Sequence, residues 1–372
     1  MTSLAPFLAF WRTTVARDRE IVEAVVLPEH RGPSPDLRRA LDTWPGVVYW
    51  ASGADAGRLV LVRALAAAQR ERWWLHIALF LVTFVTAQLG GAILLGGSAH
   101  TLPSLQGGWS AIAGNVAAWL QESVIGLPFA MALLAILLAH EMGHYLAAKR
   151  YGINASPPYF LPAPVEFNFA GTFGAFIRLR SPVVDRRQLM DVGAAGPLVG
   201  FGVALLMLVV GFQQSLLVPP GTYDAPMVIE LARGPTWLLG DSLVTWGVRD
   251  LLVGEGTLVL HPLAVAGWIG MLVTALNLVP LGQLDGGHIL YALFGERQRH
   301  VGVLAFIGLL VLGRWYWPWW IWAALTLVLG GGRLAHPRVL ERMRPLPLSR
   351  VPIGLASIAL FAITFAPIPL SF

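Results

Sequence analysis

The chain has 372 residues, of which 56% are hydrophobic and only 13% charged, with 15 Trp and 40 Gly. That balance excludes a row of soluble globular domains and points to an α-helical polytopic membrane protein, where Trp favours the interface and Gly the packed helix contacts. The net charge of +5 is not gathered into Lys/Arg-rich runs with interleaved aromatics, so no nucleic acid is expected as a partner, and with no cysteine any zinc site must use His and carboxylates.

Residues 1–72 are mixed and polar and read as an N-terminal region outside the membrane, partly helical. The apolar stretch 4–11 is short and positive charge follows it, which argues against a secretory signal; Asp18, Glu20 and Glu23 argue against a transit peptide. From Trp73 to Gln121 there is no Asp, Glu, Lys or Arg. Residues 73–97 are expected to form one span, since about 20 apolar residues cross a core of roughly 30 Å. A link follows at 98–121. A second span is expected over 124–150, uncharged except for Glu141 until Lys149 and Arg150 close it.

Pro157, Pro158, Pro162 and Pro164 break any helix after that span. The run 167–177, rich in aromatics and glycine, reads as strand and turn, with Gly171 and Gly174 marking close backbone approach. Further spans are expected at 192–215, 256–284, 300–313, 315–332 and 351–368, with an acidic loop between residues 218 and 255. The expected architecture is about seven transmembrane helices with a short β-strand or re-entrant element after the second. Residues 1–72 form the N-terminal region, 73–300 the core and 301–372 the C-terminal helices. Arg and Lys concentrate at 1–72, 149–150, 178–187, 296–299 and 333–350, which alternating spans put on one side. The positive-inside rule makes that side, and the N-terminus, cytoplasmic. Trp315, Trp317, Trp319 and Trp320 are expected as an interfacial belt on the other side.

The second span contains His140-Glu141-Met142-Gly143-His144. Two His at i and i+4 share one helical face and can reach one metal, with Glu141 placed to act as general base on a metal-bound water. Ionisable groups inside a span are expensive and usually functional. His140 lies about 15 Å along the helix from Arg150, inside the hydrocarbon. A catalytic zinc needs a third protein ligand and an open position. Asp285 is the best candidate: it ends an uncharged run and lies eleven residues before Glu296, at a depth similar to His140. The alternative for Asp285 is a helix cap at the break made by Pro280 and the glycines. His288 reads as a supporting or structural residue, and His76, His100, His261, His300 and His336 as interfacial or packing histidines.

These motifs resemble the site-2 protease family of intramembrane metalloproteases. His140-Glu141-x-x-His144 matches its HExxH, and Asn277-x-x-Pro280-x-Gly282-x-x-Asp285-Gly286 its NxxPxxxxDG; Gly171-Thr172-Phe173-Gly174 sits where members carry a GxxG-like element. The run from His261 to Gly287 is similar to the chloroplast and cyanobacterial branch, and no PDZ-like insert fits between the motifs. The resemblance covers about residues 75–300. It implies one zinc held by His140, His144 and Asp285, Glu141 as base, and Asn277 binding or polarising the substrate carbonyl. The segment Gly171, Thr172, Phe173 and Gly174 would offer an edge to an extended substrate. The implied activity is zinc-dependent cleavage of membrane-anchored proteins in or near their spans. The expected setting is a bacterial cytoplasmic membrane, with the site toward the cytoplasm. Two rival readings are a membrane metalloprotease with a glutamate ligand (Glu166, Glu230, Glu255 or Glu296) and a zinc transporter or binding protein.

Overall fold

In the computed structural model, strand rather than helix dominates the N-terminal region; residues 3–371 are described except 17–18, 33, 52–56, 65–70, 95–105, 107, 181–182, 232–234, 338 and 340–343. β1 (Leu8–Ala16) and β2 (Arg19–Val26) pair antiparallel, α1 (Pro35–Asp42) follows, and β3 (Gly46–Trp50) and β4 (Arg58–Ala64) complete a sheet of order β1-β2-β4-β3. Val22, Ala24 and Val26 alternate on one face of β2 and meet Leu59, Leu61, Leu37 and Trp44 in a core of their own. The helix starts where Ser34 Oγ accepts from the Leu37 N–H, with Pro35 at its first position. The region is partly helical, as expected, but among the described residues its main element is a four-stranded sheet that the sequence reading did not anticipate.

α2 (Trp73–Leu94) is followed by α3 (Trp109–Ser123), which lies in the stretch expected to be a link, and by α4 (Leu127–Arg150). The expected extension of the first span to residue 97, and the start of the link, fall outside the described residues. β5 (Tyr159–Pro162) and β6 (Thr172–Phe176) form an antiparallel hairpin; β5 lies along α2 and β6 reaches α4. α5 (Arg186–Gln214) begins earlier than expected, because Asp185 caps it by accepting from Gln188 N at 2.8 Å.

The stretch read as an acidic loop is structured. β7 (Leu216–Val218), β8 (Met227–Ile229), β9 (Trp237–Leu239), α6 (Leu243–Leu252) and β10 (Thr257–Val259) precede α7 (Pro262–Leu278), α8 (Asp285–Phe294), α9 (Gln298–Leu312), α10 (Pro318–Leu329) and α11 (Val351–Thr364). The chain ends in β11 (Leu370–Ser371), which closes a five-stranded sheet of order β11-β9-β8-β10-β7. The expected span at 256–284 is thus a strand and a shorter helix. His261 caps α7 by accepting at Nδ1 from Leu263 N, and Pro262 opens it. Its 17 residues rise about 26 Å.

Three stretches are long and apolar enough to cross a membrane by length and composition: Trp73–Leu94, Trp109–Arg150 and Arg186–Gln214. Pro262–Leu278, Pro318–Val328 and Leu348–Thr364 are shorter apolar helices, so seven full-length spans are not what the structure contains among the described residues. Of the expected Trp belt, Trp315, Trp317 and Trp320 are exposed, but Trp319 is buried. It stacks on Phe365 and donates to Pro367 O at 2.7 Å, which fixes the end of α11.

α4, α5 and α7 pack on one another through small residues. A Cβ on Gly143 of α4 would stand 2.5 Å from Ala195 O of α5, and one on Gly267 of α7 would stand 2.6 Å from Leu208 N of α5. Backbones approach this closely only where side chains are absent, and in lipid such van der Waals contact is what holds helices together. Phe129, Leu133, Ile136, Leu208, Phe212 and Met271 fill the core between these helices. α8 packs on α5, which brings the start of α8 to the middle of α4.

Candidate metal centre

One helical turn separates His140 from His144 on α4, and their imidazole planes meet edge to face with centroids 4.8 Å apart. Both are buried, as is Glu141 between them in sequence. Asp285 arrives from the other side of the bundle. Pro280 has no N–H to continue α7, Leu281 N turns back to Val279 O at 2.7 Å, and Gly282 takes φ +47°, a left-handed backbone that suits glycine. A Cβ on Gly286 would lie 2.0 Å from Leu278 O, so α8 starts tight against the end of α7. Asp285 is the first residue of α8, whose N-cap is Leu284 with no side-chain cap. Its carboxylate therefore does not serve as a helix cap; Oδ2 lies 3.3 Å from Nε2 of His140 and 3.3 Å from Nε2 of His144.

With the two Nε2 atoms 3.1 Å apart, the three atoms form a nearly equilateral triangle. A tetrahedral zinc site with bonds of about 2.0–2.1 Å has edges of about 3.3–3.4 Å. The triangle therefore fits one face of such a tetrahedron and leaves the fourth corner open. Protonation argues the same way. His144 Nδ1 lies 2.7 Å from Val192 O, an acceptor only, so Nδ1 carries a proton, which leaves Nε2 as the ring atom that can offer a lone pair to a metal. Two ring nitrogens and one carboxylate oxygen thus converge on one buried point, where a bound cation would meet all three. Among the described residues this is the group of three ligand-type side chains that could hold a metal ion.

The remaining expected site residues fall in different places. Asn277, on α7, brings Nδ2 to 3.5 Å from His140 Nε2. The Glu141 carboxylate takes a hydrogen bond from the backbone N–H of Ile177, just past β6, and lies beside His144 and Asp285. Gly171, at φ +69°, packs on α2: Thr86 Oγ1 donates to its carbonyl at 2.6 Å, and a Cβ would lie 2.1 Å from Thr86 O. Thr172 is buried and donates to Leu161 O at 2.8 Å, pinning the hairpin. Phe173 is exposed, and Gly174, at φ +101°, faces open space. His288 is one turn from Asp285 but turns to His336, Nδ1 to Nε2 at 2.6 Å. Glu166, Glu230 and Glu255 are not in the cluster; Glu230 accepts from the Tyr223 hydroxyl.

Sequence reasoning missed the residues that hold the candidate ligands. Gly196 and Gly200 of α5 face His144 and His140, and Val192 supplies the carbonyl. Gly193, Gly196 and Gly200 recur at helical spacing on one face, a signal for close approach. Gln298, almost wholly buried, holds Pro280 O, Leu334 O and His336 N, and so ties the turn before Asp285 to the segment after α10.

Residues 128–312 match the family model described as Peptidase family M50. Over 195 residues the chain is 36% identical to "Probable zinc metalloprotease EGY2, chloroplastic" of Arabidopsis thaliana, covering 50% of this chain and 33% of that protein. It is 40% identical over 172 residues to "Probable zinc metalloprotease EGY1, chloroplastic" of Oryza sativa subsp. japonica, covering 46% and 28%. It is 28% identical over 196 residues to "Probable zinc metallopeptidase EGY3, chloroplastic" of Arabidopsis thaliana, covering 50% and 33%. The chain thus spans about a third of the length of these relatives. The expected bacterial cytoplasmic membrane, with the site toward the cytoplasm, is overturned by these relatives, which are named as chloroplastic. The matched stretch holds His140, Glu141, His144, Asn277 and Asp285 together, and residues 128–312 form a Peptidase family M50 (site-2 protease) domain.

Proposed function

We propose that this protein is a zinc-dependent protease that hydrolyses peptide bonds in or beside the membrane-spanning segments of membrane-anchored proteins. The observation that carries the reading is the triangle of His140 Nε2, His144 Nε2 and Asp285 Oδ2, presented by α4 and α8 inside the bundle. Its supports are the Peptidase family M50 domain, the metalloprotease names of the relatives and the apolar helices that flank the site. Those relatives point to a chloroplast membrane as the setting.

In this reading His140, His144 and Asp285 hold one zinc. Zinc, when bound, supplies a Lewis acid that acidifies a water and polarises the scissile carbonyl. Glu141, buried beside the ligands, takes the proton of the attacking water and returns it to the leaving amine. The Ile177 N–H orients that carboxylate. Asn277, close to His140, turns its amide toward the developing oxyanion. A substrate helix must unwind to expose its carbonyls. The hairpin offers the means: each strand of the two-stranded sheet has an edge with no strand partner among the described residues. Phe173 and Gly174 face outward on β6, while Gly171 and Thr172 hold the hairpin to α2 and to β5. An extended segment added there would run toward Ile177 and Glu141. Residues 73–300 then form the protease core.

The test is cleavage of a membrane-anchored model substrate by the zinc-loaded full chain and by Glu141→Gln. The variant is expected to keep its zinc and lose activity by at least about 10²–10⁴-fold. Full activity in Glu141→Gln would remove Glu141 from the reaction, and an inactive wild type carrying zinc would count against the protease reading.

A further inference from the structure

A groove of about 460 Å³ runs between α4 and α5 and ends against the start of α11. Its walls are apolar: Leu146 and Ala147 from α4, Leu198 and Val199 from α5. Leu146, Leu198 and Val199 are exposed although they lie on two of the helices with the length and hydropathy to cross a membrane, so this slot opens toward the acyl region. One end is polar. Arg150, Tyr151, Asp191 and Arg350 line it, and the Arg187 guanidinium stands over the Tyr151 ring at 5.9 Å. Arg350 holds Asp191 through Nε and Nη2, each at 3.1 Å, and the Tyr151 hydroxyl donates to the same carboxylate. Arg350 is the guanidinium paired with that carboxylate, while among the described residues Arg150 and Arg187 have no carboxylate partner, so this end keeps their two positive charges.

We propose that this groove is a binding site for one anionic phospholipid, with its headgroup phosphate at Arg150 and Arg187 and the upper part of one acyl chain along Leu146, Ala147, Leu198 and Val199. The dimensions agree. Arg150 and the floor residue Gly143 are seven residues apart on α4, about 10 Å along the helix, and the charged end sits where α4 and α11 meet the arginine-rich side. A zwitterionic lipid brings its own cation to this end, and a bare anion leaves the apolar walls uncovered; an anionic lipid satisfies both ends. The floor is the seam where Gly143 meets Ala195. The lipid therefore braces the α4–α5 contact from outside.

The site is tested with the full chain in neutral detergent micelles, by native mass spectrometry and by its unfolding temperature. Three probes are compared: phosphatidylglycerol, phosphatidylcholine with the same acyl chains, and inorganic phosphate. Phosphatidylglycerol is expected to be retained at one per chain and to raise the unfolding temperature by several degrees, with neither effect from the other two. Arg150→Gln, an exposed position, is expected to weaken phosphatidylglycerol retention about fivefold, and Ala147→Trp, which fills the groove, to abolish the lipid-dependent shift. Equal stabilisation by phosphatidylcholine, the same shift from phosphate alone, or an unchanged response in Arg150→Gln would each overturn the proposal. Arg150→Gln decides the matter even if Ala147→Trp does not fold.

Discussion

Gly196 of α5 faces the imidazole of His144 so closely that a Cβ built on it would stand 2.1 Å from Nε2. The nitrogen that turns toward Asp285 is thus backed by a residue that has no side chain. Four residues earlier, the Val192 carbonyl fixes the other nitrogen of the same ring. One face of α5 therefore sets both the position and the Nδ1 hydrogen bond of a candidate ligand on α4.

Gly196→Ala should leave the helix intact, since alanine favours a helix over glycine by about 1 kcal/mol. The added methyl must nevertheless push the His144 ring off the triangle. A fall of about 10–100-fold in zinc affinity is expected, in line with losses at residues that orient metal ligands. Chelator competition, with helix content followed by circular dichroism, measures both.

Gln298→Ala tests the support behind Asp285. The change leaves Pro280 O, Leu334 O and His336 N without their side-chain partner in a buried setting. A loss of about 2–4 kcal/mol in stability is expected, together with weaker zinc retention. Thermal unfolding and zinc content of the purified variant check the two effects.

Arg180 ties the end of the hairpin segment to the start of α2: its guanidinium forks onto Glu71, with Nη2 to Oε2 at 3.0 Å, and its backbone N–H donates to Asn154 O at 2.7 Å. The carboxylate partner keeps the Arg180 guanidinium protonated even more firmly than usual. Arg180→Ala is expected to cost about 1–3 kcal/mol, concentrated in the hairpin. Limited chymotrypsin digestion should then cut faster at Phe167 and Phe169, while cleavage in the N-terminal sheet stays unchanged.

His336 gives the chain an acid limb. Burial first, and then repulsion from His288, hold its pKa down to about 3, against 6.5 for an ordinary histidine. A base whose pKa is depressed in the fold disfavours protonation there. Its share of stability is full above about pH 6.5 and is lost as pH falls toward 3. His336→Gln should make the decline in unfolding temperature between those pH values shallower.

The grouping of the three candidate ligands was legible because it rests largely on local geometry. The spacing of His140 and His144 fixes a shared face in any helix, and Asp285 stands out as a charge at the end of an uncharged run. What holds those ligands was not legible. Val192, Gly196 and Gly200 matter through the register of α5 on α4, which no local pattern encodes. The sheet built from 216–259 and the C-terminus was missed because its strands are two or three residues long, too short for alternation to register. α3 was read as a link because glycines crowd the residues before Trp109. The N-terminal sheet was obscured by arginines on its solvent side, although β2 alternates as a half-buried strand should.

The zinc content of the purified full chain, wild type beside Asp285→Ala, is the most direct test of the metal centre. One zinc per chain in the wild type and a large loss in Asp285→Ala are the expected results, because Oδ2 of Asp285 closes the triangle with both imidazoles. A full zinc in Asp285→Ala, or none in the wild type, would contradict a centre built from these three residues.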